Sequence, residues 1–133
     1  MGYEFDKTKP IYLQLVERIC WRIVRQELAA GEKLPSVREM AVQSGVNPNT
    51  VQRTYAELER MGVTETRRGQ GTFVTTDTEH LANLRETLKT SHMMQFVKKM
   101  RAMGFTNSEI LSGVQTALDS VVEEDGKEER YDV

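Results

Sequence analysis

The chain's 133 residues suffice for one ordinary domain or a small domain with an appendage, and are too few for two full-sized domains. At 38% hydrophobic and 29% charged, it has material for a modest core and leaves apolar surface for a partner or a second copy to cover. The formal net charge of −2 hides an asymmetry: residues 1–75 hold 11 Lys/Arg against 9 Asp/Glu and residues 76–133 hold 7 against 11, so an anionic partner suits the first part alone.

The opening, MGYEFDKTKP, lacks the basic and apolar regions of a secretion signal, and Asp6 stands where N-myristoylation wants Ser or Thr. No apolar run approaches the roughly 18 residues of a spanning helix, so the expectation is a cytoplasmic protein with no membrane partner. From Pro10, Tyr12, Leu15, Val16, Ile19 and Ile23 recur at helical spacing, which predicts an amphipathic helix that Gly31 ends. Cys20 and Trp21 on it read as packing residues. As the single cysteine, Cys20 excludes an internal disulfide and any multi-cysteine metal site.

Ser36 and Glu39 have capping-box spacing and predict a second, short helix that buries Val37, Met40 and Ala41 and stops before Gly45. Asn47, a good N-cap, with Pro48 in the first helical position opens a third, whose buried stripe is Val51, Tyr55 and Leu58 and whose end is Gly62. Two short helices about a glycine-containing turn have the spacing of a helix-turn-helix. The third helix then presents Asn49, Thr50, Gln52 and Arg53 away from its buried stripe. Asn and Gln match the adenine edge, and Arg matches guanine O6 and N7. An ordinary polar helix face is the competing reading.

VTETR alternates as a strand does, and TFV follows as a second, so RRGQGTFV reads as a hairpin tip with Phe73 and Val74 available to the core. A phosphate-cradling glycine loop would precede a helix and carry a third glycine or a Gly-Lys-Ser/Thr sequence, neither of which is present. A hairpin bearing Arg67 and Arg68 beside a recognition helix is a wing, able to contact phosphates or enter a minor groove.

Past the hairpin, Leu81, Leu84, Leu88, Phe96, Met100 and Met103 recur near helical spacing up to Gly104, and a second capping box, Thr106 with Glu109, opens a helix carrying Ile110, Leu111, Val114, Leu118 and Val121. This hairpin of helices is too apolar for its own chain to cover, which predicts an isologous homodimer through Leu84, Leu88, Phe96, Met100, Met103, Val114 and Leu118. Met93, Met94, Met100 and Met103 could instead line an adaptable pocket for a small-molecule effector. His80 and His92 are too far apart for a helical metal pair, so no metal site is assigned. Cys20 has no base near it in sequence, so no catalytic residue and no cofactor is assigned either.

PIYLQL, LPSVREMA, GVNPNTVQRTYAELERMG and RRGQGTFV, in order over about residues 8–75, closely resemble the winged helix-turn-helix of GntR-type bacterial transcription regulators. The resemblance implies a homodimer on a roughly palindromic double-stranded DNA operator, with the third helix in the major groove and the wing along the backbone or minor groove. It places contacts on Arg38, on Asn47, Asn49, Thr50, Gln52 and Arg53, and on Arg68 and Gly69; Ser36 and Thr50 would bind phosphate. Arg67 and Gly71 complete the wing set. The chain departs from the pattern at Pro48, where some members carry a contact residue, and at Thr64, usually apolar, which implies a looser wing.

The short continuation resembles the YtrA-type subfamily, whose members dimerise through two C-terminal helices and are often associated with transporter operons. The fold class expected is therefore mainly α with a small β-hairpin: a winged helix-turn-helix over residues 1–75, a two-helix dimerisation region over 76–124 and an acidic, disordered tail over 125–133. The function expected is sequence-specific transcription regulation, with a repressor favoured over an activator. The alternative is a small-molecule sensor or protein adaptor built on the same scaffold, and an enzyme comes a distant third.

Overall fold

The computed structural model describes residues 3–127, with side chains to residue 122. The order is α1 (Ile11–Val24), α2 (Val37–Ser44), α3 (Pro48–Arg60), β1 (Thr64–Arg67), β2 (Gly71–Val74), α4 (Thr78–Ala102) and α5 (Asn107–Lys127). The last residues of the expected acidic tail, 128–133, lie outside the described residues. The chain divides into two compact units that meet between Arg85 and Glu86.

The first unit is built around α1, which packs on α3, while α2 and β1 also pack on α3. Its core comprises Leu15, Val16, Ile19, Cys20 and Ile23 from α1, Met40 and Ala41 from α2, Val51, Tyr55 and Leu58 from α3, and Leu28, Leu34, Val63 and Val74 from the connections and wing. Tyr12 and Val37, expected in buried stripes, are only half-buried. Thr54 is buried on the α3 stripe although polar, because its hydroxyl donates to the Thr50 carbonyl at 2.8 Å and to that of Tyr12 at 3.3 Å.

Helix α1 ends at Val24 rather than at Gly31. Gln26 takes a left-handed φ of 63°, and the Arg22 carbonyl accepts from Glu27 N at 2.8 Å and Leu28 N at 3.1 Å. This reversal turns Leu28 into the core, which a continued helix would not do. The chain then lies along β2: Gly31 N donates to the Val74 carbonyl, Val74 N to that of Glu32 and Leu34 N to that of Thr72, at 3.0, 2.8 and 2.8 Å. Lys33 and Phe73 form an antiparallel bridge, so residues 31–34 act as a third, short strand of the wing.

The wing is paired in register from Thr64 with Val74 to Arg67 with Gly71. The first unit also takes in the start of α4. The Asp77 carboxylate accepts from His80 N at 3.1 Å, capping α4, and His80 Nε2 donates to the Met61 carbonyl at 2.9 Å. A cavity of about 410 Å³ lies between the end of α1 and α4, lined mainly by Ile23, Leu28, Ala29, Leu81 and Arg85.

In the second unit, Gly104 at a φ of 90° reverses the chain and Thr106 and Glu109 form the expected capping box, at 2.9 and 3.2 Å. Helices α4 and α5 share little packing with each other. Phe96, Met103, Phe105, Leu111, Leu118 and Val122 consequently remain exposed, as do Met93 and Met94. No helix among the described residues is long and apolar enough to cross a membrane.

Candidate nucleic-acid interface

Helix α2 begins at a complete capping box. Ser36 Oγ accepts from Glu39 N at 3.1 Å, and Glu39 Oε1 accepts from Ser36 N at 2.8 Å. These bonds hold the Glu39 carboxyl below its ordinary value. The Ser36 hydroxyl uses only its acceptor side in the box, so its own proton stays free to donate to a phosphate. Tyr55 fixes the approach to this turn by donating its hydroxyl to the Pro35 carbonyl at 2.7 Å, and burial raises its phenol above the ordinary value. Arg38, one residue into α2, is exposed.

Gly45, at a φ of 73°, ends α2 in the left-handed region, where only glycine sits without steric cost. Two residues later Asn47 Oδ1 accepts from Asn49 N at 2.7 Å and starts α3. Capping therefore occupies that oxygen and leaves the Asn47 amide nitrogen as its free donor. Asn49, Gln52 and Arg53 are exposed, and Thr50 is half-buried. At 100° per residue, Asn49, Arg53, Ala56 and Arg60 stand opposite Val51, Tyr55 and Leu58, with Gln52 on one flank and Thr50 on the other.

At the wing, Gln70 N donates to the Arg67 carbonyl at 2.9 Å and Gly69 turns at a φ of 77°. Arg68 and Gly69 form the exposed tip. Arg67 is turned back on the sheet: its guanidinium carbon lies 4.2 Å from the centroid of the Phe73 ring and its NH2 lies 3.2 Å from Glu65 Oε1. Gly71 has a φ of 123°, and a side chain there would meet Lys33 Cε at 2.8 Å. Lys33 thus lies beside the wing tip, a cation that sequence reading missed because only the bridge to Phe73 brings it there.

The chain ahead of α1 was missed as well. Tyr3 N donates to the Ser44 carbonyl at 3.3 Å, while Arg18 donates to the Glu4 carbonyl at 2.8 Å and sits over the Tyr3 and Phe5 rings at 5.4 and 5.8 Å. Tyr3, Phe5, Lys7, Asn47 and Thr50 line a shallow cleft at the start of α3. The interleaved aromatic residues were the available signal. Among the described residues no cluster of His, Cys, Asp and Glu could hold a metal ion. Burial, aided by Glu17, pushes the Cys20 thiol up to about 11, which leaves it protonated and weakly nucleophilic.

Two capped short helices about a left-handed glycine, followed by a two-stranded wing, define a winged helix-turn-helix. Residues 11–74 match the family described as bacterial regulatory proteins, gntR family. The chain is 52% identical over 116 residues to the HTH-type transcriptional regulator YhcF of Bacillus subtilis, covering 87% of this chain and 96% of that protein. It is 45% identical to the HTH-type transcriptional repressor YtrA of the same organism, over 50% of this chain and 52% of that one. A solved GntR family transcriptional regulator from Listeria monocytogenes is similar with a TM-score of 0.81 at 38% identity, covering 84% of this chain and 98% of that chain. The chain belongs to the gntR family of bacterial regulatory proteins, and these relatives are transcriptional regulators rather than enzymes.

Proposed function

We propose that this chain is a cytoplasmic, sequence-specific transcription repressor that binds a palindromic operator as a homodimer. The observation that carries the reading is the exposed row on α3, where Asn49, Gln52 and Arg53 follow the capped helix start and offer the donors and acceptors that base edges require. Ser36, Thr50 and the wing tip at Arg68 and Gly69 then serve as phosphate contacts, with Arg38 a further base reader. Arg67, held by Glu65 and Phe73, would have to exchange these contacts for DNA. The exposed apolar residues of α4 and α5, among them Phe96, Met103 and Leu118, support dimerisation through that unit. The name of the relative YtrA supports repression, and the YtrA-type resemblance makes a transporter operon the first target to test.

Selection from a random duplex library, followed by affinity measurements for the winner and a scrambled control at two salt concentrations, tests the proposal. A palindromic winner favoured about a thousandfold or more supports it, and the half-site spacing locates the two wings. Equal affinity for both duplexes refutes it.

A groove in the second unit, lined mainly by Phe96, Met100, Phe105, Ile110, Val114 and Leu118, favours a second reading in which a small apolar effector enters this region. A compound that both raises the melting temperature and alters DNA affinity would establish it.

A further inference from the structure

Arg53 and Arg60 share the outward row of α3 but are held differently. Arg60 is ion-paired with Glu57 one turn earlier, which compensates its charge. Arg53 has no carboxylate partner among the described residues; its guanidinium carbon lies 3.8 Å from the centroid of the Tyr12 ring, at the start of α1. The backbone that carries Tyr12 is held in turn, because its carbonyl accepts from the buried Thr54 hydroxyl at 3.3 Å and α1 packs along α3, and the ring itself is half-buried.

A guanidinium stacked on a ring uses its face, whereas its N–H donors point outward in its plane. Tyr12 therefore restricts the rotamers of Arg53 without consuming the donors that recognition needs. A side chain already held in place loses less freedom when it meets its target.

We propose that Tyr12 is a positioning residue for base recognition: its ring holds the Arg53 guanidinium so that the planar edge reads O6 and N7 of one guanine in each half-site. This rests on the DNA-binding reading above. It adds to that reading a residue of the first helix that need not touch DNA.

The test uses the full chain, the selected duplex and its single-base-pair variants. Arg53→Ala and Arg53→Lys should both abolish discrimination at one base pair, since lysine keeps the charge but loses the planar fork. Tyr12→Leu should reduce discrimination at that same base pair by about two- to fivefold, in line with an exposed cation–π contact. It should leave the other positions and the salt slope unchanged. Tyr12→Phe should retain wild-type discrimination, and Tyr12→Leu should add nothing in the Arg53→Ala background. An unchanged Trp21 emission spectrum and urea midpoint would show the variants to be folded.

Equal weakening on every duplex, an undiminished effect of Tyr12→Leu in the Arg53→Ala background, or a Tyr12→Phe variant as impaired as Tyr12→Leu would overturn the proposal. Arg53→Lys keeping full discrimination would overturn it even without the tyrosine variants. A wild-type chain that selects no sequence is a separate result, and it would sink the DNA-binding reading together with this one.

Discussion

Thr64→Val should make the protein more stable. Thr64 is 3% exposed at the start of the wing, and its hydroxyl has no hydrogen-bond partner among the described residues. Thr54 is the matched control: it is 0% exposed, and its hydroxyl donates to the Thr50 carbonyl at 2.8 Å. Valine replaces the hydroxyl by a methyl group with little change of shape, so the two substitutions differ mainly in whether a bond is lost. An unsatisfied buried polar group costs about 1–3 kcal/mol, and a made hydrogen bond contributes about 0.5–1.5 kcal/mol. Thr64→Val is therefore expected to stabilise by about 1–2 kcal/mol, and Thr54→Val to destabilise by about 1 kcal/mol. With a urea dependence of about 2 kcal/mol per molar, the middle of the usual range for small proteins, the Thr64→Val midpoint should rise by about 0.5–1 M. Trp21, the only tryptophan, lies on α1 and reports unfolding of the first unit by fluorescence. All variants are compared at one protein concentration, because self-association shifts apparent stability. A Thr64→Val midpoint at or below the wild-type value would refute the reasoning and show that the hydroxyl is satisfied in solution.

Cys20 links stability to alkaline pH. Its folded thiol is pushed up from 9.0 to about 11, so between these values the unfolded chain loses a proton that the folded chain keeps. Stability should fall as pH rises through this window and the loss should level off above about 11; Cys20→Ala should show a shallower decline in urea midpoints over the same range. Arg68→Ala should reduce the salt slope of DNA binding by about one phosphate contact while sequence preference survives, as measured by titration at several salt concentrations. An unchanged slope would remove Arg68 from the phosphate contacts. Phe96→Asp, on the exposed apolar surface of α4, should shift the sedimenting species from dimer to monomer at micromolar concentration while the native Trp21 emission spectrum stays unchanged. A retained dimer would place the interface elsewhere.

The parts of the fold legible in the sequence are those set by neighbouring residues. The capping boxes at Ser36 and Thr106, the N-cap Asn47 and the left-handed Gly45 depend on side chains within a turn of one another. The hairpin from Thr64 to Val74 was equally readable from alternation and its glycines. What escaped depends on distant pairing. Leu28 lies off the apolar stripe of α1 and reaches the core only by a chain reversal at Gln26, where no glycine marks the helix end. Residues 31–34 become strand-like only by bonding to β2, and their own composition carries no strand pattern. At the candidate site, the outward row of α3 followed from helical period. The stack of Arg53 on Tyr12 and the clasp of Arg67 on Phe73 did not, because each joins two elements.

The wing has one sealed edge and one open edge. Residues 31–34 bond to β2, whereas no strand among the described residues pairs with the far side of β1. An unpaired strand is a template on which a second chain can add. Four residues make a short template, and Glu65, Thr66 and Arg67 leave it without a continuous apolar row. The arginine and glutamate of β1 thus leave the open edge a poor template for a second strand.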